Sequence, residues 1–198
     1  MAQAKNKPRG SVVRNQLRII GGRWRSRKLT FIPDEGLRPT PDRVRETLYN
    51  WLAPVIAGAT CLDLYAGSGS LGLEALSRGA THCHFVDTSG DALKQINSHL
   101  ITLGATTHGH CHQGTAEDFL LKVSTPLDIV FIDPPFGQGL VVPICNLLAA
   151  RQLLSEDALI YIETPRQEEL SALPRDWQIH REKTAGQVAF RLFRCNRV

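Results

Sequence analysis

The chain has 198 residues, 42% apolar and 21% charged, with a formal net charge of +4. That length accommodates one domain burying roughly 70% of its unfolded surface, plus an appendage, and excludes a second large core. No apolar run approaches the roughly 20 residues of a membrane span, and Met1 to Gly10 has no apolar stretch of the secretion-signal kind, so a cytoplasmic protein is expected.

Cys61, Cys83, Cys111, Cys145 and Cys195 stand at wide, irregular intervals without a CxxC pair, which argues against a disulfide framework and fits a reducing compartment. Charge is unevenly distributed. Residues 1–45 hold twelve Lys and Arg against three acids, a local charge of +9, whereas the remainder sets eleven cations against sixteen acids, or −5. A basic arm on a mildly acidic body is the footprint of a polyanion partner, since each cation at a phosphate releases condensed counterions; a solubilising tail is the alternative.

In chain order, residues 1–16 are polar, basic and poor in apolar side chains, and are expected to stay disordered without a partner. Residues 17–36 read as a small hairpin, with Leu17 to Ile20 and Leu29 to Ile32 flanking a Gly21-Gly22 break. Arg18, Arg23, Trp24, Arg25, Arg27 and Lys28 are candidate RNA contacts, because guanidinium and ring can both stack on bases; a packed Trp24 is the alternative. Next, Thr40 as N-cap and Pro41 at the first helical position open a helix with Val44, Leu48, Trp51 and Leu52 on one face. Its Arg43 and Arg45 extend the candidate RNA set.

From Thr60 onward, apolar runs alternate with helical patterns: strands at 61–65, 84–87, 108–113, 127–132 and 158–163, and helices at 70–79, 89–102 and 139–150. Strict alternation predicts βαβ units and a doubly wound, mostly parallel α/β sheet over residues 37–198. Residues 177–182 and 187–193, around a Gly186 turn, predict an antiparallel pair at its edge, for seven strands in all. His108, His110 and His112 would share one face of their strand; a solvent-facing row is the plainer reading of them, and no metal site is expected.

Doubly wound sheets bind ligands at the carboxyl ends of their strands, where Asp63 is followed by Gly67-Ser68-Gly69-Ser-Leu-Gly72. With Asp87 twenty residues on, this also matches a dinucleotide fingerprint. A carboxylate at Asp63 suits an ammonium-bearing ligand and would sit poorly beside a pyrophosphate. The second loop, Asp133-Pro134-Pro135-Phe136, emerges at the same sheet edge, and its consecutive prolines fix φ twice and present rigid carbonyl acceptors suited to an amino group.

Asp63-x-x-Ala66-Gly67-x-Gly69 followed by an acidic strand end resembles the first two motifs of class I S-adenosylmethionine-dependent methyltransferases. The resemblance implies that Asp63 receives the amino group of the methionine moiety, that Gly67, Ser68 and Gly69 line the nucleoside, and that Asp87 chelates the ribose. Tyr65, Thr88, Thr115 and Ala116 complete the cofactor set. Gly114-Thr115-Ala116 departs from the family's Gly-Asp-Ala, which leaves Thr115, Glu117 or Asp118 for the adenine amine, or Asp118 as a simple helix cap. The Asp133 to Phe136 loop resembles the tetrad of amino-group methyltransferases. It implies that Asp133 and the Pro134 carbonyl hold the exocyclic amine while Phe136 stacks on the base.

The Asp form of the tetrad, the Arg18 to Gly22 run and the Leu37 to Glu46 stretch together resemble the RsmD family of bacterial 16S rRNA (guanine(966)-N(2))-methyltransferases. That resemblance implies a monomer acting on 16S rRNA in the small ribosomal subunit, with ribosomal proteins as further partners. It also brings Thr40 and Arg43 towards the methionine end of the cofactor, with helix capping and surface charge as alternatives. A DNA or protein amide methyltransferase, a nicotinamide oxidoreductase and a non-catalytic RNA-binding module are the competing classes.

Overall fold

The computed structural model describes residues 15–31 and 40–195. The disorder expected for the tail, up to residue 14, and the expectations for Ile32 and for Leu37, Arg38 and Pro39 lie outside those residues.

Strands β1 (Asn15–Arg18) and β2 (Lys28–Phe31) pair antiparallel with Leu17 opposite Leu29. The hairpin thus begins two residues inside the segment read as tail. Leu17, Leu29 and Phe31 point inward and alternate with exposed Arg18, Lys28 and Thr30, the period of two that a half-buried strand requires. A single 3₁₀ turn, Gly22–Trp24, lies between them and buries Trp24.

Helix α1 (Asp42–Leu52) places Val44, Leu48, Tyr49 and Leu52 in the core, and Trp51 stacks on Phe190 with ring centroids 5.5 Å apart. The main sheet follows: β3 (Thr60–Asp63), β4 (His82–Asp87), β5 (Gly109–Gln113), β6 (Leu127–Ile132), β7 (Leu154–Pro165), β8 (Trp177–Ala185) and β9 (Val188–Cys195). Their spatial order is β5-β4-β3-β6-β7-β9-β8; the first five run parallel, and β9 pairs antiparallel with both β7 and β8. This is a Rossmann-like doubly wound sheet, and the order reverses between β3 and β6, where such sheets bind ligands.

The interleaved helices are α2 (Ser70–Ser77), α3 (Gly90–Leu103), α4 (Ala116–Lys122) and α5 (Val141–Ala150). Cys61, Cys83, Phe85, Ile129, Phe131 and Tyr161 face α1, α2 and α3, whereas Leu62, Val86, Val130, Ile132 and Ile160 face α4 and α5. Alternate residues of one strand therefore feed two separate cores, which explains why the strands read as nearly unbroken apolar runs.

The hairpin is fastened to this body by the fully buried Glu74 of α2. Its carboxylate accepts from the backbone N–H groups of Ile20 and Gly21 at 2.8 Å each and pairs with Arg78 at 2.7 Å. Ser77 adds two bonds, donating to the Gly21 carbonyl at 2.6 Å and accepting from the Trp24 N–H at 3.1 Å. Gly22 has φ +74, and a Cβ there would lie 1.9 Å from the Ser77 carbonyl oxygen, so both conformation and space demand glycine.

Two expectations fail here. Arg45 is not a surface cation: it is 1% exposed. Its guanidinium donates to the carbonyls of Thr40 (3.2 Å) and Arg18 (2.9 Å) and to Asp42 (2.6 Å), and lies 3.7 Å from Glu74. It binds hairpin, helix entry and α2 together and has no face left for a phosphate. Trp24, 7% exposed, is a packed core ring with the Arg23 guanidinium 4.1 Å above it, so base stacking by its indole is ruled out in this conformation.

Candidate functional site

Three acids end three neighbouring strands. Asp63 closes β3, Asp133 follows β6, and Glu163 lies near the end of β7. The pairings Asp63 with Phe131 and Ile132 with Ile162 put Asp133 beside Glu163 and Asp63 two residues lower on the neighbouring strand, all on the sheet face that carries α1. Among the described residues no Lys or Arg forms an ion pair with any of them.

Asp63 is buried, and its Oδ2 accepts from the Gly72 N–H at 3.0 Å. Burial lifts its pKa to about 7; the Gly72 bond opposes the rise, and the charges of Asp133 and Asp87 add to it. Asp87 ends β4 with each oxygen on a backbone donor, Oδ2 on the Gly67 N–H and Oδ1 on the Ser89 N–H, both at 2.8 Å. Each oxygen keeps a second lone pair, enough for two hydroxyls. Gly67 and Gly69 have φ of +50 and +74, and Gly69 opens α2 with no side chain of its own to cap it; Asp63 takes the Gly72 N–H, which leaves the other first-turn amides, Ser70 and Leu71, without an intrahelical acceptor. Tyr65 carries a buried hydroxyl with no hydrogen-bond partner among the described residues. An unpaired polar atom, uncapped amides and carboxylates with spare acceptor capacity fit a polar nucleoside bearing an ammonium group.

Other proposed contacts have local duties. Thr115 caps α4, its hydroxyl accepting from the Asp118 N–H at 3.0 Å, while Ala116 is buried and Asp118 and Thr88 are exposed. Asp118 is thus in the first turn, its backbone rather than its carboxylate engaged by the cap. A cleft of about 450 Å³ runs along α4 past Thr115, Asp118, His84 and His112, on the opposite sheet face from Asp63 and Asp133. The histidines form a row across β4 and β5: His84 Nδ1 and His112 Nε2 share a hydrogen bond at 3.0 Å, and burial with neighbouring imidazoles lowers His84 to about 4. Among the described residues no group has the geometry of a metal site.

The second loop carries Asp133 partly buried, Pro134 buried and Phe136 48% exposed. Thr40 was expected to cap α1; Pro41 occupies that position instead, with no side-chain cap. The Thr40 hydroxyl reaches across and donates to Asp133 Oδ2 at 3.2 Å. Tyr161 donates to Glu163 Oε1 at 2.7 Å. Burial pushes Asp133 up to about 6 against its Thr40 bond. Burial and the charge of Asp133 push Glu163 further, to about 8. Glu163 terminates an apolar run, as Asp63 does, and that pattern is the signal in the sequence that marks it.

Of the expected RNA contacts, Arg18, Arg23, Arg25, Arg27, Lys28 and Arg43 are exposed. Arg18 shares Asp42 with Arg45, at 2.9 Å. Burial raises the Asp42 carboxyl, but hydrogen bonds from both arginines outweigh it and hold the group below its ordinary value.

The model for conserved hypothetical protein 95 matches residues 17–194. Ribosomal RNA small subunit methyltransferase D of Escherichia coli is 50% identical over 178 residues, 90% of this chain and 89% of the relative. The protein of the same name in Haemophilus influenzae is 42% identical, covering 91% and 94%. The solved structure of the Escherichia coli protein yhhF superposes with a TM-score of 0.85 at 48% identity, over 92% of this chain and 99% of that one. With the two-loop site at the switch point and the hairpin docked beside it, this agreement along nearly the whole length shows that the chain belongs to the RsmD family.

Proposed function

We propose that the protein is an S-adenosylmethionine-dependent methyltransferase of 16S rRNA, acting on the exocyclic N2 amine of a guanine, guanine 966 by the family resemblance, within the small ribosomal subunit or its assembly intermediate. The observation that carries the reading is the pairing of an acceptor-rich nucleoside site after β3 and β4 with the Asp133 carboxyl beside two prolines after β6. Relatives named rRNA small subunit methyltransferases support the substrate class.

Asp63 would hold the ammonium group, Asp87 the ribose hydroxyls, and the Gly67 to Gly69 backbone with Tyr65 the remaining polar edge. When bound, the cofactor supplies an electrophilic methyl group on a sulfonium. Asp133 and the Pro134 carbonyl accept the two N–H bonds of the amine and leave its lone pair directed away from both acceptors. These bonds strengthen as the nitrogen becomes cationic, so the loop favours the transition state over the ground state. The Asp133 carboxylate then takes the proton that the alkylated nitrogen sheds. Phe136, exposed on the same loop, stacks on the base for roughly 1–3 kcal/mol.

Purified protein is expected to transfer labelled methyl to small subunits from cells lacking the enzyme, with the product mapped to one nucleotide by mass spectrometry. Asp133→Ala should lower turnover by about 10²-fold or more while cofactor binding persists. Methylation unchanged in that variant would remove Asp133 from the chemistry.

A further inference from the structure

We propose that Arg181, Lys183 and Arg194 form a second RNA-backbone contact on β8 and β9, so that an RNA whose base enters the acid-lined site is held at its phosphates on both sides of that site. This contact, which rests on the proposed RNA substrate, adds to the hairpin a surface from the opposite end of the chain.

Strand register puts the three cations on one face. Across an antiparallel pair, opposed side chains point to the same side of the sheet. Arg181 stands opposite Leu192 and Lys183 opposite Phe190, while Arg194 stands opposite Leu159 of β7. Leu159, Phe190 and Leu192 belong to the core under α1. Arg181, Lys183 and Arg194 therefore project, exposed, from the sheet face that carries α1 and the hairpin.

The acid of this ribbon points the other way. Arg181, Lys183, Arg191 and Arg194 are the Lys and Arg residues of the two strands, and Glu182 is their acid. Glu182 stands opposite Arg191 and pairs with it at 2.6 Å, and Arg191 donates onward to the Thr164 hydroxyl at 3.0 Å. None of the other three cations forms an ion pair among the described residues. Burial lowers the His180 imidazole, and the charges of Arg194 and Arg181 lower it further, which places an uncompensated positive field at this end of the sheet. Charged side chains on an edge strand also discourage pairing between sheet edges. That duty is met by either sign on either face, and it does not require the acid to be neutralised on the far face while three cations stand together on the near one.

The stripe is level with the site. Lys183 is opposite Phe190, Phe190 is opposite Glu163, and Glu163 stands beside Asp133. At about 5 Å per strand, the Lys183 backbone lies about 10 Å across the sheet from that of Glu163, and Arg181 follows about 7 Å further along β8. The hairpin docks on α2, which packs against β3 and β4. In the order β5-β4-β3-β6-β7-β9-β8, the strand ends bearing Asp133 and Glu163 therefore lie between the two basic surfaces.

The experiment measures the salt dependence of binding to a labelled 16S rRNA transcript and to small subunits from cells lacking the enzyme. It compares wild type, a triple variant (Arg181→Gln, Lys183→Gln and Arg194→Gln) and a control (Lys122→Gln and Arg151→Gln). The control residues are exposed, on α4 and at the end of α5, on the opposite sheet face. At about 0.7 per phosphate contact, the triple variant should lower the salt slope by about 2 and weaken binding about tenfold or more. In methyl transfer, KM for the subunit should rise by the same factor, with kcat within about twofold of wild type and S-adenosylmethionine binding unchanged. Tm should stay within about a degree of wild type, since the substitutions are on the surface. The control should leave slope and KM unchanged. A slope unchanged in the triple variant, or lowered as much per residue by the control, would overturn the proposal. A loss confined to assembled subunits would overturn it too, because it would assign the stripe to a ribosomal protein. If the slope responds as expected but wild type transfers no methyl, the functional reading fails alone and the contact stands.

Discussion

The acid-lined strand ends and the outer face of the hairpin are opposites in charge and in exposure. Asp63, Asp133 and Glu163 are wholly or largely withdrawn from water, whereas Arg18, Arg23, Arg25, Arg27, Lys28 and Arg43 stand in it. The difference follows from what each region must hold. A small cation and a developing positive nitrogen are best stabilised by acceptors in a low-dielectric site. A long polyanion is best met by many weakly coupled surface charges. Between them lies the buried contact of Arg45 with Glu74, where a basic residue of the N-terminal segment has been drawn into the interior and helps fasten the hairpin to the body.

The most severe way to break the contrast is to remove that fastening. Glu74→Ala would strip the buried Arg45 of its fully buried counter-charge, leaving it only the half-exposed Asp42, and would leave two backbone N–H groups, at Ile20 and Gly21, without acceptors. Removing one partner of a buried pair typically costs about 3–5 kcal/mol. Thermal unfolding should show the loss, and limited proteolysis should release the hairpin before the body. A Tm within a degree of wild type would mean that apolar packing of Leu17, Leu29 and Phe31 alone docks the hairpin.

The second test acts on the acidic region through pH. Without ligand, Asp63 titrates at about 7 because burial penalises its charge. An ammonium group bound there favours the ionised form, so binding and deprotonation are linked. Cofactor affinity should therefore rise about tenfold per pH unit towards pH 7 and level off above it. Asp63→Asn should bind more weakly and flatten the dependence; calorimetry from about pH 5 to about pH 8 measures both. The raised value has the opposite sign for stability. Asp63 retains its proton in the folded chain after losing it in the unfolded one, so its contribution declines as pH rises from the ordinary carboxylate range to about 7.

The acidic region was more legible in the sequence than the basic one. Residues 127–132 form the expected strand, and Asp63, Asp87 and Asp133 lie at strand ends, because apolar runs closing on an acid carry their own boundary. Helix α4 was missed: it has seven residues, and its capping Thr115 was claimed as a ligand contact. Arg45 was misassigned because charge counted along the chain carries no information on burial; its partner Glu74 lies twenty-nine residues away, in an apolar helix that buries all eight of its residues. Thr40 has the residue type of a cap, yet Asp133, ninety-three positions on, captures its hydroxyl. At Arg45 and at Thr40 a long-range polar partner outweighed the local pattern.

The smallest expected effect separates the two kinds of basic residue most clearly. Neutralising an exposed cation that meets a phosphate should reduce the salt slope of RNA binding by about 0.7 to 0.9 per residue, leaving folding unchanged. Arg25→Gln, Arg27→Gln and Lys28→Gln qualify, since none has an ion-pair partner among the described residues. Arg23→Gln adds a second loss, because its guanidinium covers the Trp24 ring, so a small drop in Tm should accompany its change in slope. Arg18→Gln also releases Asp42, leaving that carboxylate to Arg45 alone. Arg45→Gln should behave in the reverse way, lowering Tm with no change in the slope of whatever fraction remains folded. If Arg45→Gln altered the slope while the hairpin substitutions did not, the RNA-facing surface would have to be sought elsewhere than on the hairpin.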